Sequence, residues 1–206
     1  MILVTPRLDI IEDRNEVRLS LDLRWVKLLE YLDIKFQIFG YQDICKVDNE
    51  YFFNDIQGVL LTGGNNIPGL NVRSDSVDYI RNDIEKKIFE YALKNQLPVL
   101  GVCRGMQFIN HYFGGQLKKI AGHAGTQHLI SFNQCKYRDR IVNSYHDFGI
   151  SQDGLADALK ILGKDIDGNI EFFRHNRLSV WGIMWHPERE PQFVGEDLNL
   201  LREIFF

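Results

Sequence analysis

The chain has 206 residues, of which 45% are hydrophobic and 25% are charged, values that are ordinary for a globular protein. We expect one domain spanning residues 1–206, with a sizeable core and no room for a second catalytic domain. The net charge of -4 gives no reason to expect nucleic acid or an anionic membrane as a partner. No apolar run approaches the ~20 residues that span a bilayer, and the first residues lack the features of a signal peptide, so a cytoplasmic location is expected.

The cysteines also restrict the possible functions. Cys45, Cys103 and Cys135 are widely spaced and include no C-x-x-C pair. This spacing argues against a disulfide framework and against a zinc site built on paired thiolates. Scattered cysteines are usually small buried hydrophobes, so one of them becomes a catalytic candidate only if its neighbours support that role.

In chain order, apolar runs typical of strands alternate with helical patterns through the first 115 residues. Strands are predicted at residues 1–5, 34–39, 58–62 and 98–102, helices at 19–32, 75–94 and 108–113, and a loop at 7–18. This alternation predicts a parallel sheet with right-handed crossovers. Further strands are predicted at residues 127–132, 137–142, 158–162, 170–174 and 178–185, and a last helix at 194–206. The expected fold class is α/β, a three-layer sandwich whose mainly parallel central sheet is flanked by helices and becomes more antiparallel toward the C-terminus.

The segment from residue 98 to residue 107 is the most informative one. A buried strand leads into Gly101-Val-Cys-Arg-Gly105 and a helix follows, which is the pattern of a nucleophile elbow with cysteine in place of serine. Glycine is needed on both sides because larger side chains would collide with the neighbouring strand and helix. The helix N-terminus would favour the thiolate of Cys103, and the backbone N–H of Arg104 would face a developing oxyanion. The alternative is an ordinary small-residue turn with an inert buried cysteine.

Among the six histidines, His186 has the context that a catalytic base requires. An apolar strand ends at His186-Pro187-Glu188, and residues two apart on an extended segment project to the same side. Glu188 can therefore accept a hydrogen bond from one imidazole nitrogen and leave the other to face a thiol. The alternative is a strand-end turn with a solvated glutamate. His175 lies in a charged run and is predicted to occupy a surface turn.

Four motifs in this order resemble the class I, or triad, glutamine amidotransferase superfamily. They are LTGG at 61–64, GVCRGMQ at 101–107, VNSYH at 142–146 and WHPE at 185–188. The second and third motifs are more similar to the γ-glutamyl hydrolase branch, which includes γ-glutamyl-γ-aminobutyrate hydrolases, than to the synthase-coupled glutaminases. The resemblance implies that Cys103 is the nucleophile, His186 the general base and acid, and Glu188 the residue that orients His186.

The same resemblance implies the rest of the site. The backbone N–H groups of Gly64 and Arg104 would form the oxyanion hole. A γ-glutamyl substrate would be held by Gln107 and by the segment formed by Ser144, Tyr145 and His146. The implied chemistry requires no cofactor and no metal.

The start of the chain, Thr5-Pro-Arg-Leu-Asp9, and Arg24-Trp25 are similar to amidotransferase-like proteins of surface-polysaccharide clusters. That similarity implies a γ-glutamyl nucleotide phosphoramidate of capsule synthesis as the substrate. Arg7 and Arg24 could then bind the phosphorylated leaving group through bidentate hydrogen bonds. The alternative is a solvated loop, because acidic residues are interleaved with the arginines.

Three functions remain open from the sequence. The first is a free-standing hydrolase that cleaves a small γ-glutamyl conjugate through a glutamyl thioester and releases glutamate. The second is a glutaminase subunit that delivers ammonia to a separate synthase. The third is a non-catalytic binding or redox protein, although the presence of Cys103, His186 and Glu188 together favours an enzyme. A small-molecule γ-glutamyl substrate is the expected partner, and no oligomeric state is predicted.

Overall fold

The computed structural model describes residues 1–40, 53–69 and 74–206, so that Cys45 lies outside the described residues. The strands are β1 (Ile2–Thr5), β2 (Arg7–Ile11), β3 (Glu16–Ser20), β4 (Phe36–Ile38), β5 (Gly58–Leu61), β6 (Val99–Val102), β7 (Lys118–Lys119), β8 (Ala124–Phe132), β9 (Arg140–Tyr145), β10 (Phe148–Gly149), β11 (Leu159–Asp165), β12 (Ile170–His175) and β13 (Val180–Ile183). The α-helices are α1 (Leu23–Tyr31), α2 (Ser76–Lys94), α3 (Arg104–Tyr112) and α4 (Gly195–Phe205), and short 3-10 helices cover Glu12–Arg14 and Pro187–Arg189. None of the helices in the described residues combines the length and the apolar character needed to cross a membrane.

Nine of these strands form the central sheet in the order β4-β1-β5-β6-β13-β12-β11-β8-β9. The strands from β4 to β13 in this order pair in parallel. The remaining pairings, from β13 to β9, are antiparallel. The predicted α/β class and the predicted change to antiparallel pairing are therefore confirmed, and the parallel half of the sheet carries the elbow.

The buried side chains form two clusters, one on each face of the sheet. Strand residues alternate between them, since Leu3 belongs to one cluster and its neighbours Ile2 and Val4 belong to the other. The helix α2 covers the first cluster with side chains such as Phe89, and α1 covers the second with side chains such as Trp25. The helices α3 and α4 contribute to the first and the second cluster respectively. This arrangement is the three-layer sandwich that the sequence predicts.

The predicted loop at residues 7–18 is wrong, because β2 and β3 form an antiparallel hairpin there. The pairing runs from Arg7 opposite Ser20 to Ile11 opposite Glu16. Asn15, in the left-handed region with φ of 50°, lies in the turn. Charged residues alternate with apolar ones along both strands, and this alternation gives the segment the polar composition of a loop although its period is that of a strand.

Two further expectations need correction. The first helix begins at Leu23 and not at residue 19, because Asp22 caps it by accepting a hydrogen bond from the backbone N–H of Arg24. His175 is the last residue of β12 and not part of a surface turn. Its Nδ1 accepts hydrogen bonds from the two backbone N–H groups of Arg177 and Leu178, at 3.0 Å each, which holds the following turn against the strand.

Candidate active site

Three neighbouring parallel strands bring the candidate residues to one edge of the sheet. Thr62 and Gly63 follow β5, Cys103 follows β6, and His186 lies three residues after β13. Since these strands are adjacent and parallel, their carboxyl ends meet at the same edge, which is where open α/β sheets bind ligands. The topology thus joins residues that are more than 120 positions apart in the chain.

Cys103 lies in the sharp turn that the sequence predicts between β6 and α3. It is the N-cap residue of α3, with φ of 52° and ψ of -103°. Its backbone N–H donates to the carbonyl of Ile183 at 2.8 Å, which ties the turn to the end of β13. A side chain at Gly101 would approach the backbone of Gly105 to 2.5 Å, and one at Gly105 would collide with the carbonyl oxygen of Leu61. Both glycines are therefore needed for close packing of strand and helix.

His186 and Glu188 form a buried pair beside the elbow. The distance from His186 Nδ1 to Glu188 Oε1 is 2.7 Å, and each residue is only 2% exposed. The other edge of the ring faces the end of β5 and the elbow. A β-carbon placed on Gly63 would lie 2.7 Å from His186 Cε1, 3.5 Å from His186 Nε2 and 3.6 Å from Cys103 Cβ. Gly63, His186 and Cys103 therefore meet at one point.

The surroundings of His186 favour its charged form. Burial alone would lower the pKa of His186, but the Glu188 carboxylate and the Cys103 sulfur outweigh burial and raise the pKa to about 9. An imidazolium next to a thiol favours the thiolate, which is the nucleophilic form of cysteine. The arrangement can therefore supply a nucleophile and a proton donor at the same point.

A buried arginine that sequence reasoning missed holds the loop after β5. Arg81, from α2, is 2% exposed and donates from Nη2 to the carbonyl of Thr62 at 2.7 Å. Its Nη1 donates to the carbonyls of Gly63 at 3.0 Å and Gly64 at 2.7 Å. Glu85, one helical turn later, accepts from Arg81 Nε at 2.9 Å. The only sequence signal was an Arg–Glu pair four residues apart, which is common on helix surfaces.

These contacts orient the Gly64 N–H group. The Gly63 carbonyl and the Gly64 N–H belong to the same peptide unit, and in a trans peptide they point in opposite directions. Arg81 binds the carbonyl end, so the N–H end of that unit points away from Arg81. A cation on the carbonyl also polarises the peptide and strengthens the N–H as a donor. The Gly64 N–H, which is expected to donate to the oxyanion, is thus held in one direction by the contact of Arg81 with the Gly63 carbonyl.

Asn143, on β9, is a second residue whose role was missed. Its Nδ2 donates to the carbonyl of His186 at 2.8 Å, and its Oδ1 accepts from the backbone N–H of His186 at 2.9 Å. The side chain therefore binds both backbone polar groups of His186 and fixes the backbone position from which the imidazole projects. Asn143 lies within the VNSYH motif, but no local pattern shows that this strand passes beside residue 186.

Three of the four residues expected to hold the substrate are buried and bonded within the protein. Gln107 Nε2 donates to the carbonyl of Phe148 at 2.9 Å, and His146 Nδ1 lies 3.0 Å from the same oxygen. Ser144 Oγ donates to the carbonyl of His123 at 2.5 Å. Burial lowers the pKa of His146 to about 4, so that its ring is neutral at pH 7. These contacts support the framework of the site, and a direct role in substrate binding stays a prediction.

Tyr145 differs from these three residues because it is 46% exposed. Its ring centroid lies 5.7 Å from that of His186, edge to face. The guanidinium of Arg189 lies 4.5 Å from the centre of the Tyr145 ring. Tyr145 is therefore placed beside His186 with a surface that a substrate can reach.

The two arginines expected to contact the leaving group occupy different positions. Arg7 lies against Gly64, since a β-carbon on Gly64 would be 3.0 Å from Arg7 Cδ, and Arg7 also pairs with Asp9 at 2.6 Å. Arg24 pairs with Asp22 at 2.6 Å at the start of α1. A small cleft joins this region to the candidate site and is lined by Arg7, Asp22, Trp25, Gly63, His186 and Glu188.

Comparisons with known proteins agree with this fold and show the family. The profile of the family described as Peptidase C26 matches residues 42–188. The γ-glutamyl-CDP-amidate hydrolase of Campylobacter jejuni subsp. jejuni serotype O:2 is 34% identical over 206 residues, covering 97% of this chain and 98% of that protein.

Two solved structures share the fold at low sequence identity. A protein from Thermoplasma acidophilum, described as one of the subunits of a GMP synthase, has a TM-score of 0.71 and 18% identity, covering 100% of this chain and 92% of its own. A glutamine amidotransferase from Thermotoga maritima has a TM-score of 0.68 and 13% identity, covering 98% of this chain and 82% of its own. At these identities the likeness establishes the architecture.

Proposed function

The chain belongs to the peptidase C26 family and is a hydrolase that acts on a C–N bond, and on that premise we propose that it cleaves the γ-glutamyl amide bond of a small γ-glutamyl conjugate. Cys103, His186 and Glu188 carry the reaction in this proposal. The observation that carries it is the meeting of the elbow cysteine with a histidine whose other nitrogen lies 2.7 Å from a buried carboxylate. We further propose that the conjugate is a γ-glutamyl nucleotide phosphoramidate used in capsule polysaccharide synthesis.

The first half of the reaction forms a thioester. The thiolate of Cys103 attacks the γ-carbonyl carbon, and the N–H groups of Gly64 and Arg104 donate to the oxygen that becomes negative. His186 then donates its proton to the nitrogen of the leaving group as the C–N bond breaks. The nitrogen compound leaves, as a phosphoramidate from the proposed substrate, and the glutamyl group stays on the sulfur.

The second half restores the enzyme. The neutral His186 takes a proton from water, and the resulting hydroxide attacks the thioester carbon. The C–S bond breaks, glutamate leaves, and the thiolate pairs again with the imidazolium. Glu188 keeps the ring in one orientation through both halves, as the acid of a triad does.

The proposed leaving group is supported by the position of Arg7. Its side chain lies on Gly64, and therefore beside the peptide proposed to bind the oxyanion. A guanidinium at that point can bind a phosphoryl oxygen on the nitrogen side of the scissile bond. The curated relative that is 34% identical acts on a γ-glutamyl-CDP-amidate according to its name, which is a substrate of this chemical class.

A turnover screen with the purified full chain tests the proposal. We expect glutamate release from γ-glutamyl phosphoramidates without a partner protein, and slower release from neutral γ-glutamyl amines and from glutamine. The acyl-enzyme should appear by mass spectrometry on Cys103 and be absent in Cys103→Ser. Ammonia release from glutamine only in the presence of a synthase would support the glutaminase alternative. Failure to acylate with every γ-glutamyl donor would support a binding protein.

The leaving-group part of the proposal has its own variant. Arg7→Ala should lower kcat/KM for the phosphorylated substrate about 10- to 100-fold, because a hydrogen bond to a charged group contributes about 1.5–3 kcal/mol. The change for a neutral γ-glutamyl amine should stay within about twofold. Arg14→Ala is the matched control, since Arg14 lies in the turn of the same hairpin with a 62% exposed side chain. An equal loss for both substrates would refute the phosphate contact.

A further inference from the structure

A second group of ionisable side chains lies in the antiparallel half of the sheet, and none of them has a nucleophilic or proton-transfer step in the proposed reaction. We call His123, His128, His146 and Glu171 the histidine cluster. Glu171, on β12, is 0% exposed, and the side chains of His128 and His146 are 11% and 2% exposed. The ring centroid of His123 lies 4.8 Å from that of His128 and 5.2 Å from that of His146. Three imidazoles thus surround one buried carboxylate.

The distances within the cluster are not those of hydrogen-bonded ion pairs. His128 Nε2 lies 3.3 Å from Glu171 Oε2, and His146 Nε2 lies 3.6 Å from Glu171 Oε1. A charged hydrogen bond between such groups spans about 2.7–2.9 Å. The same chain provides the comparison, because its His186–Glu188 pair is 2.7 Å apart. The contacts to Glu171 are therefore longer than a charged hydrogen bond.

The longer distances match the edges of a metal coordination sphere. Ligands at about 2.0–2.2 Å from a tetrahedral ion are about 3.3–3.6 Å from each other. The donor atoms of His123, His128 and Glu171 all lie within 4.8 Å of one another, so these side chains must move closer together to place all three donors on one ion. His146 Nε2 lies 3.6 Å from the second oxygen of the same carboxylate, outside the group formed by the other three donors.

Several buried polar atoms in the cluster lack hydrogen bonds. Among the residues that the structure describes, neither oxygen of Glu171 and neither ring nitrogen of His128 has a hydrogen-bond partner, and His146 Nε2 has none. His146 Nδ1 faces the carbonyl of Phe148 and must carry the proton to bind it, so Nε2 of the neutral ring presents a lone pair to a carboxylate oxygen. A cation in the cluster would give these buried acceptor atoms a partner.

Asp165 has the contacts of an outer partner that orients a ligand. Its Oδ2 lies 2.8 Å from His123 Nε2 and accepts from Asn169 Nδ2 at 2.6 Å, while its Oδ1 accepts from the Asn169 backbone N–H at 2.7 Å. These are hydrogen-bond distances, unlike those to Glu171. Metal-binding histidines commonly bond a carboxylate through their other nitrogen in this way. The other nitrogen of His123, Nδ1, lies 3.0 Å from the carbonyl oxygen of Ala121, so coordination through Nδ1 has to replace that hydrogen bond.

We propose that the histidine cluster binds one divalent transition-metal ion, and that Zn²⁺ is the ion its imidazole and carboxylate donors fit best. The ion joins β8, which carries His128, to β12, which carries Glu171, and reaches the ends of β8 and β9 through His123 and His146. The proposed reaction contains no step for it, so the ion stabilises the folded state.

The cluster is also connected to the elbow helix. The carbonyl of Phe148 contacts His146 Nδ1 and accepts from Gln107 Nε2, and Gln107 lies on α3 one turn after Cys103. The carbonyl of Glu171 accepts from the backbone N–H of Met184, two residues before His186. An ion in the cluster therefore holds the framework behind the candidate active site.

Metal titration of the chelator-treated full chain tests this inference. Zn²⁺ should bind with a stoichiometry of one per chain by calorimetry, and it should raise the melting temperature by several degrees. Co²⁺ should give the visible absorption bands of a four-coordinate nitrogen and oxygen site. Glu171→Gln and His128→Gln should each weaken Zn²⁺ binding at least 100-fold and remove the melting shift. Circular dichroism at 20 °C shows whether each variant is folded.

Two controls separate this site from the nucleophile. Cys103→Ser should keep full Zn²⁺ stoichiometry, because a thiolate–imidazole pair is itself a metal ligand set that the proposal does not use. His111→Gln, on the elbow helix and outside the cluster, should bind Zn²⁺ as the wild type does. The absence of stoichiometric binding by the wild-type chain would overturn the inference, and so would binding that is lost in Cys103→Ser or retained in Glu171→Gln. None of these readouts depends on hydrolase activity.

Discussion

Gly63 has no side chain at a point where the His186 imidazole needs the space. A β-carbon there would lie 2.7 Å from His186 Cε1, whereas ordinary contacts begin at 3.4 Å, so Gly63→Ala must displace the ring by about 0.7 Å. The backbone cannot easily move instead, because Arg81 donates to the carbonyls on both sides of this residue. A misplacement of about 1 Å in a reacting group costs about 100-fold in rate, so we expect kcat to fall about 30- to 100-fold.

The assay is steady-state hydrolysis of a γ-glutamyl substrate that the wild type accepts, together with a thermal melt. The φ of Gly63 lies outside the left-handed region, so alanine fits the backbone and the melting temperature should change by less than about 3 °C. Gly195→Ala is the matched control, since no atom lies within 4 Å of a β-carbon there, and it should keep wild-type kcat. A folded Gly63→Ala protein with kcat within twofold of the wild type would refute the packing argument.

Three further results are expected from the same geometry. The pKa of His186, about 9, exceeds its ordinary value of 6.5, so the ionised His186–Glu188 pair stabilises the fold fully below about pH 6.5 and loses that contribution as pH rises toward 9. Glu188→Gln should remove this pH dependence of the free energy of unfolding, measured by urea titration at several pH values. The same variant should lower kcat by about 10⁴-fold. Asn143→Ala removes two hydrogen bonds to the backbone of His186, so kcat should fall at least about tenfold with little change in KM, and an unchanged kcat would contradict the positioning role. Arg81→Met leaves the carbonyls of three loop residues without their charged donor, whereas Glu85 keeps Thr5 and Arg104 as partners, so the free energy of unfolding should fall by about 3–5 kcal/mol in urea titrations. Lys86→Met on the exposed face of α2 should change it by less than about 0.5 kcal/mol.

Local spacing was enough to predict the residues that meet at the sheet edge. Gly101, Cys103 and Gly105 lie within five consecutive residues, so their pattern is visible in the sequence, although the backbone that Gly105 has to avoid belongs to Leu61 on a neighbouring strand. The His186–Glu188 contact likewise depends on an extended segment of three residues. The two segments meet because β13 lies beside β6 and parallel to it, a pairing that the alternation in the first 115 residues does not predict. The catalytic roles of these residues stay predictions.

Contacts that depend on the register between distant segments could not be predicted from the sequence. Asn143 and His186 are 43 positions apart, and their contact requires that β9 end beside the segment after β13. Arg81 reaches Thr62 across a helix-to-strand packing that no periodicity describes. The histidine cluster draws on residues from 123 to 171, and its members look like isolated polar residues until the antiparallel strands align them.

The backbone at Cys103 has a consequence for selection and for engineering. A φ of 52° with ψ of -103° is a conformation that glycine adopts freely and that costs another residue about 1–3 kcal/mol. Glycine at this position would therefore give a more heat-resistant chain without a sulfur. If Cys103 is the nucleophile, as we propose, mutational drift toward stability leads away from the reaction at this position, and selection for turnover retains the cysteine. A library screened for thermal resistance alone should enrich inactive Cys103→Gly clones, so stabilisation of this enzyme has to begin by holding residue 103 constant.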